Sequence, residues 1–340
     1  MPEKTGTVGR SGTGVWAWTA VLLVLIIVGM LWLTSPGLGH ARPAATLRLA
    51  AYWTGKEAED GPLQRPMGIA VAPDGTVYVT DAQARVVHFS ASGAVLGEWG
   101  HSGDAPGQFS NPVGLAVASD GSVYVSDYDL DRVEKFTADG QFLSQFGRHG
   151  HASGELDAPA GLAVGRHGSV YVADFYNDRI EEFSPKGKFI RGIGTPGRMG
   201  IGSLHYPTGI TALPHGGLLV ADAYNYELQW FDAEGRAFRR AGYRLFGLWP
   251  RPAHGETGFA VPTDAAVVAG GLIVVADSAN HRVALLSPDG KFESAWRIPH
   301  ASRRIFSPEH IAVSPDGRTV YATDFAGNRI IVLHLESHGS

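Results

Sequence analysis

From about residue 46 to residue 335 the chain is a succession of short runs in which apolar and polar positions alternate, separated by Gly-, Pro- and Asp-rich turns. One stretch shows the unit. Gly161-Leu-Ala-Val164 is a short apolar run. Ser169-Val-Tyr-Val-Ala173 alternates, with Val170 and Val172 on one face. Arg179-Ile-Glu-Glu-Phe183 alternates again, with Ile180 and Phe183 toward the core across a local irregularity. Lys188-Phe-Ile-Arg-Gly-Ile193 is the fourth run. A period of two bounded by turn residues predicts β-strands, four to the unit. The intervening turns, Arg166-His-Gly168 and Ser184-Pro-Lys-Gly187, have counterparts at Ala72-Pro-Asp-Gly75, Ala138-Asp-Gly140, Ser287-Pro-Asp-Gly290 and Ser314-Pro-Asp-Gly317.

The unit recurs six times. Pro66, Pro112, Pro159, Pro207, Pro262 and Pro308 open the copies, 46, 47, 48, 55 and 46 residues apart. An Asp closes the second strand of each: Asp81, Asp127, Asp174, Asp222, Asp277 and Asp324. A β-patterned period of this length predicts propeller blades. Each blade presents two apolar faces that only neighbouring blades cover, so the blades must close into a ring. The chain ends agree. The sixth unit stops after its third strand, Arg329-Ile-Ile-Val-Leu-His-Leu335, and Thr46-Leu-Arg-Leu-Ala-Ala-Tyr-Trp53 is an orphan fourth strand ahead of the first Pro. Residues 46–53 are therefore expected to complete the last blade, with Leu47, Leu49 and Tyr52 buried.

Here the chain resembles the NHL-repeat proteins. The likeness is clearest in Val274-Val-Ala-Asp277-Ser-Ala-Asn280-His-Arg282-Val283. It recurs in Tyr171-Val-Ala-Asp174-Phe-Tyr-Asn177-Asp-Arg179-Ile180 and in Asp324-Phe-Ala-Gly-Asn328-Arg329-Ile330. Asp127…Arg132-Val133 and Asp81…Arg85-Val86 are weaker copies, and Asp222-Ala-Tyr-Asn225-Tyr-Glu227-Leu228 has Glu in place of Arg. The resemblance implies an all-β, six-bladed β-propeller over residues 46–335. It leaves function open, because the family includes peptide and nucleic-acid binders, extracellular sensor domains and a zinc-dependent lyase.

Ahead of the repeats, Val15 to Thr34 is twenty residues without a charge, flanked by Trp16, Trp18 and Trp32 and stopped by Ser35-Pro36-Gly37. At about 1.5 Å per residue such a helix spans a hydrocarbon layer of ~30 Å. The expected organisation is a cytoplasmic leader (1–14), a transmembrane signal-anchor (15–34), a linker (35–45), the propeller (46–335) and a tail (336–340). The short leader places the N-terminus in the cytoplasm and the propeller on the periplasmic or extracellular side. A signal peptide cleaved after Gly39-His-Ala41 is the competing reading, and the length of the apolar run favours the uncleaved anchor.

Composition narrows the chemistry. A net charge of −5 disfavours a nucleic-acid partner. The absence of cysteine removes thiolate metal sites, covalent haem attachment and cysteine nucleophiles. No G-x-S-x-G elbow, Walker loop or HExxH occurs. The six repeated Asp residues read as fold-maintaining carboxylates that accept backbone N–H groups and pair with the following Arg. Function is then sought where the units differ.

Three departures stand out. The Pro-x-Gly motif holds at Gly68, Gly114, Gly161 and Gly209, but units five and six carry Asp264 and His310, an acid/base pair, two metal ligands, or a plug of the channel. The loops entering the units are His-rich, and His151, His254 and His300 each lie eight residues before their Pro, candidate ligands for a divalent metal such as zinc or calcium; no cofactor is otherwise expected. The long 207-to-262 period holds Tyr243, Arg244, Phe246, Trp249, Arg251 and His254, residue types of binding hot spots, or a loop packed on the ring. Tyr128, Phe175, Tyr224 and Phe325, after the repeated Asp, add a candidate sticky surface, the alternative being packing between loops. The functional expectation is a membrane-anchored module that binds a protein or peptide near the bilayer, or an accessory subunit of a membrane complex. The alternative is a metal-assisted lyase or hydrolase in the channel mouth through Asp264 and His310.

Overall fold

The computed structural model describes residues 45–242, 245–246, 249–250, 258–298 and 306–338. The expected leader, 15–34 anchor and linker up to residue 44 lie outside them. Among the described residues no helix is long and apolar enough to cross a membrane.

Six four-stranded antiparallel sheets follow one another along the chain. The third is representative: Pro159–Val164, Val170–Asp174, Arg179–Phe183 and Phe189–Ile193 run from the channel outward. The innermost strands touch in succession around the ring, and the first also touches the last. This is a closed six-bladed propeller.

The core is six cores. Each hydrophobic cluster is centred between one pair of blades. Val170, Val172 and Phe183 of blade three meet Ala116, Tyr124 and Val133 of blade two. Ala173, Ile180 and Ile193 on the opposite face meet Leu218, Val220 and Phe231 of blade four. Ile180 and Phe183 thus serve opposite neighbours, paired in regular register with Ala173 and Val170 of the second strand, and the expected irregularity lies on the strand's other edge. It sits in the next ladder, between Glu182 and Phe183.

Closure is made by Ala45–Trp53, which pairs antiparallel with Arg329–Ser337 as the outer strand of blade six. A register shift between Leu49 and Ala51 divides its work. Ala45, Leu47 and Leu49 pack with blade five, whereas Ala51 and Trp53 pack with blade one. One extra residue in a strand reverses which face its side chains take. Trp53 is accordingly buried, at 9% exposure, and Tyr52 is 40% exposed over the Arg329 guanidinium. Tyr52 is not the buried anchor that alternation alone assigns to it.

Each repeated Asp is buried and accepts the backbone N–H seventeen residues earlier: Gln64, Ser110, Asp157, His205, Ala260 and Ser307. The carboxylate therefore ties the loop entering a blade to that blade's second strand. Arg85, Arg179, Arg282 and Arg329 pair with it at 2.8–3.1 Å. Arg132 instead pairs with Glu134 and donates to the Asp104, Ala105 and Gln108 carbonyls.

The glycine of Pro-x-Gly has a steric cause. A Cβ at Gly114 or Gly161 would overlap the carbonyl oxygen of Ala160 or Thr208 on the next blade. Hydroxyls bridge the same joints: Ser126 accepts from Gly114 N and donates to the Ala160 carbonyl, and Thr323 bridges His310 N to Met67 of blade one.

Candidate functional site

In every blade the innermost strand begins where the second strand ends, as in the pairing of Pro159 with Asp174. The entry loops, the repeated prolines and the loops after the repeated Asp therefore share one face of the ring. On that face the residue following each Pro points to the channel mouth, because all six hold the same position in their blades. Met67, Val113, Ala160, Thr208, Thr263 and Glu309 line one cavity of about 220 Å³, with Asn111, Tyr128, Phe175 and His310 as its walls. A second hollow of about 430 Å³ shares Phe175, Thr208, Thr263 and Glu309 and adds Tyr224, Ser278 and Ser307.

The ring is asymmetric. Its side at blades one to three is apolar, and its side at blades four to six carries hydroxyls and the Glu309 carboxylate. Glu309 Oε1 accepts from Ser307 Oγ at 2.9 Å and from Ser278 Oγ at 3.2 Å. Burial pushes its carboxyl above the usual range, against the two hydroxyls and His310, which lower it.

Aromatic side chains of blades two to four form one cluster beside the cavity. Phe175 stacks on Tyr206 at 4.8 Å and lies 5.9 Å from Tyr128 and 6.4 Å from Tyr224. Tyr176 and Tyr224 stand out from it at 51% and 41% exposure. Burial, and then the hydrogen bond with Tyr176, raise the Tyr128 phenol. The structure thus brings Tyr128, Phe175 and Tyr224 together. Phe325, on blade six, lies instead beneath the Arg65 guanidinium at 5.8 Å.

The other candidates are dispersed. Asp264 Oδ1 accepts from Ala265 N, its Oδ2 accepts from Ile311 N at 2.9 Å, and His310 Nδ1 lies 3.5 Å from Oδ2. Asp264 thus bridges blades five and six where the Pro-x-Gly glycine is missing. Both of its oxygens are engaged by backbone N–H groups, and His310 is turned toward Oδ2. His151 is exposed and bonds Asn177 Oδ1 at 2.6 Å. His254 and His300 lie outside the described residues, as do Tyr243, Arg244 and Arg251. Of the long loop, Leu245–Phe246 pairs with Trp249–Pro250 as a small antiparallel ribbon.

One group does bring metal-type donors together. Atoms of Asp131, His149 and Asp157 lie within 4.8 Å of one another. Asp131 also accepts from Ala158 N of the next blade at 2.7 Å, as Asp178 accepts from Tyr206 N. The group therefore coincides with a joint that the repeat uses elsewhere.

Sequence reasoning missed Glu309 and the ring to which it belongs. The signal was present one position away. The residue after Pro reads Met, Val, Ala, Thr, Thr, Glu over the six units and varies more than the glycine position that follows it.

The NHL repeat model matches residues 204–231 and 259–284, in blades four and five. No curated protein matches the chain in sequence. Among solved structures, virginiamycin B lyase from Staphylococcus aureus is 16% identical over 85% of this chain and 99% of that one, with a TM-score of 0.58. Hydrazine synthase from Kuenenia stuttgartiensis is 17% identical over 80% of this chain and 96% of that one, TM-score 0.56. A putative gluconolactonase is 19% identical over 90% of this chain and 98% of that one, TM-score 0.58. At these identities the likeness is one of fold.

Proposed function

Since the chain is an NHL-repeat six-bladed β-propeller, we propose that it is a membrane-anchored, extracytoplasmic binding module whose protein or peptide partner docks at the channel mouth, alone or within a larger membrane complex. The observation that carries the reading is the convergence of the six post-Pro residues on one cavity flanked by the aromatic cluster of blades two to four. Apolar aromatic surface beside a concave site is the composition of interaction hot spots. Repeated Asp and Arg residues maintain the scaffold, so selection of a partner falls to the positions that vary. The charge-free span 15–34 and its tryptophans support the anchor, and the net charge of −5 argues against nucleic acid.

The binding test uses the full chain in mild detergent. Tyr176→Ala with Tyr224→Ala removes two side chains that the core does not need, and capture of the partner is expected to fall at least about tenfold. Lys188→Ala with Arg236→Ala, in turns on the opposite face, is expected to leave capture unchanged. Equal capture by the two double variants would overturn the reading.

Orientation is tested separately. A reporter fused after Ser340 is expected to be active only in the exported compartment, with a tag at residue 1 protected from external protease. Reporter activity in the cytoplasm would remove the extracytoplasmic assignment.

A second reading, a lyase or hydrolase at the same mouth, has in its favour that His310 lines the cavity beside Glu309. Loss of turnover in His310→Ala with capture intact would select it.

A further inference from the structure

We infer that the channel mouth takes a small organic ammonium ion, its charged end at Glu309 and its apolar body against Met67, Val113, Ala160 and Phe175. The inference rests on the mouth being the ligand site and names what that site selects.

The argument begins with charge. Glu309 is the one ionisable member of the six-residue ring, and among the described residues lining either hollow there is no Lys or Arg. His310, next in the chain, has its Nδ1 against Asp264 on the neighbouring blade. The two serine hydroxyls that satisfy the carboxylate both converge on Oε1, and no described residue donates to Oε2. A carboxylate with no Lys or Arg among the described lining residues, in a site this apolar, has a strong electrostatic demand that an ammonium group meets. An anionic ligand would meet the opposite: a like charge and no cation to hold it.

Shape and chemistry agree with charge. Thr208 and Thr263 line the same cavity as Glu309, and their hydroxyls, which donate to backbone carbonyls, keep acceptor capacity for the remaining N–H groups. Across the ring the wall is aliphatic and aromatic. The faces of Phe175 and Tyr128 attract a cation as well as an apolar body. A cavity of 220 Å³ is the space of about seven waters, which suits an aryl- or alkylamine or the first residue of a peptide, and not a folded loop. Two sources supply this chemistry, a free amine and a peptide N-terminus.

The test is calorimetric titration of the full chain in detergent with phenethylamine, 2-phenylethanol and phenylacetate, and with Phe-Gly-Gly amide with a free or an acetylated N-terminus. Phenethylamine is expected to bind at least tenfold tighter than the alcohol, and phenylacetate weaker than both. Glu309→Gln is expected to erase the gap between amine and alcohol with unchanged thermal unfolding. Tighter binding of the free tripeptide than of phenethylamine assigns the site to peptide N-termini, and the reverse order assigns it to free amines. The inference is overturned by equal binding of amine and alcohol, by a gap that survives Glu309→Gln, or by no binding across the panel. The amine–alcohol comparison is made on the unsubstituted protein, so it stands even if the variant unfolds. The capture test with Tyr176 and Tyr224 does not involve Glu309. A partner still held at the mouth alongside a failed titration would remove the ammonium inference alone.

Discussion

Deletion of residues 46–53 from the full chain is expected to abolish cooperative unfolding of the propeller, or to lower its midpoint by more than about 10 °C. The strand they form is the outer edge of blade six and pairs along its length with residues 330–336. Its loss exposes that edge. It also uncovers two inter-blade cores at once, because Leu47 and Leu49 pack with blade five and Trp53 packs with blade one. Burial of each large apolar side chain contributes ~1.5–3 kcal/mol, so the sum is comparable to the whole stability of a domain. A strand at one rim of an open array would matter locally; a strand that joins first blade to last removes the ring. Trp53→Ala should reproduce a large share of the effect and Tyr52→Ala little of it, since Tyr52 is exposed on Arg329. An unchanged unfolding curve for the deletion would show that the ring closes without this strand.

Glu227→Gln is expected to stabilise the protein increasingly as pH rises from about 5 to about 8.5. In blade four Glu227 stands where other blades place the Arg that pairs with the repeated Asp, and it faces Asp222 directly across the ladder. Burial, and then the Asp222 charge, push its carboxyl up to about 8, with the Arg240 guanidinium at 3.9 Å opposing. Burial likewise pushes Asp222 up to about 7. The sign follows from proton counting. Both groups are raised above their unfolded values of 4.5 and 3.8, so between those values and the folded ones the native state binds more protons than the unfolded state. Stability is therefore greatest at acidic pH and is lost as pH rises through about 7 to 8. Each tenfold in proton affinity is worth about 1.4 kcal/mol, so removing the Glu227 ionisation restores on the order of a few kcal/mol at the alkaline end and little at pH 5. Urea midpoints of the two proteins across this range decide it; a gap that does not change with pH would refute the assignment.

The candidate site was only partly legible in the chain. Tyr128, Phe175 and Tyr224 were singled out because they follow the repeated Asp, and the structure gathers them. Phe325 occupies the same place in the repeat, yet lies apart under Arg65. Equivalent positions in a ring are equidistant from the axis, and only those on adjacent blades with long enough side chains touch. Asp264 and His310 were singled out because they break a motif, as an acid/base pair, two metal ligands or a plug of the channel. Their geometry answers a packing question, since Asp264 fills the place of an absent glycine and binds Ile311 N. Glu309 escaped notice because its neighbours in the chain, Pro308 and His310, carry the visible signals, and because its importance depends on five other residues spaced along the chain at successive intervals of 46–55 positions.

Alternation and a repeat of constant phase suffice to establish six four-stranded blades, the turns between their strands and the segment that closes the ring. Those properties are local or are copied six times, so the same physical demand writes itself into the chain again and again. The seventeen-residue bond of each repeated Asp and the glycine after Pro-x in units one to four belong to this class, and their repetition announces them before their cause is known. What happens across the channel is different. Which six side chains meet at the mouth, that one of them is a carboxylate with no Lys or Arg among the described residues around it, and that Ala45–Trp53 serves blade five with one half and blade one with the other all depend on closure. Contacts made across a closed ring join residues with no fixed separation along the chain, and a single extra residue in one strand is enough to turn its side chains from one neighbour to the next.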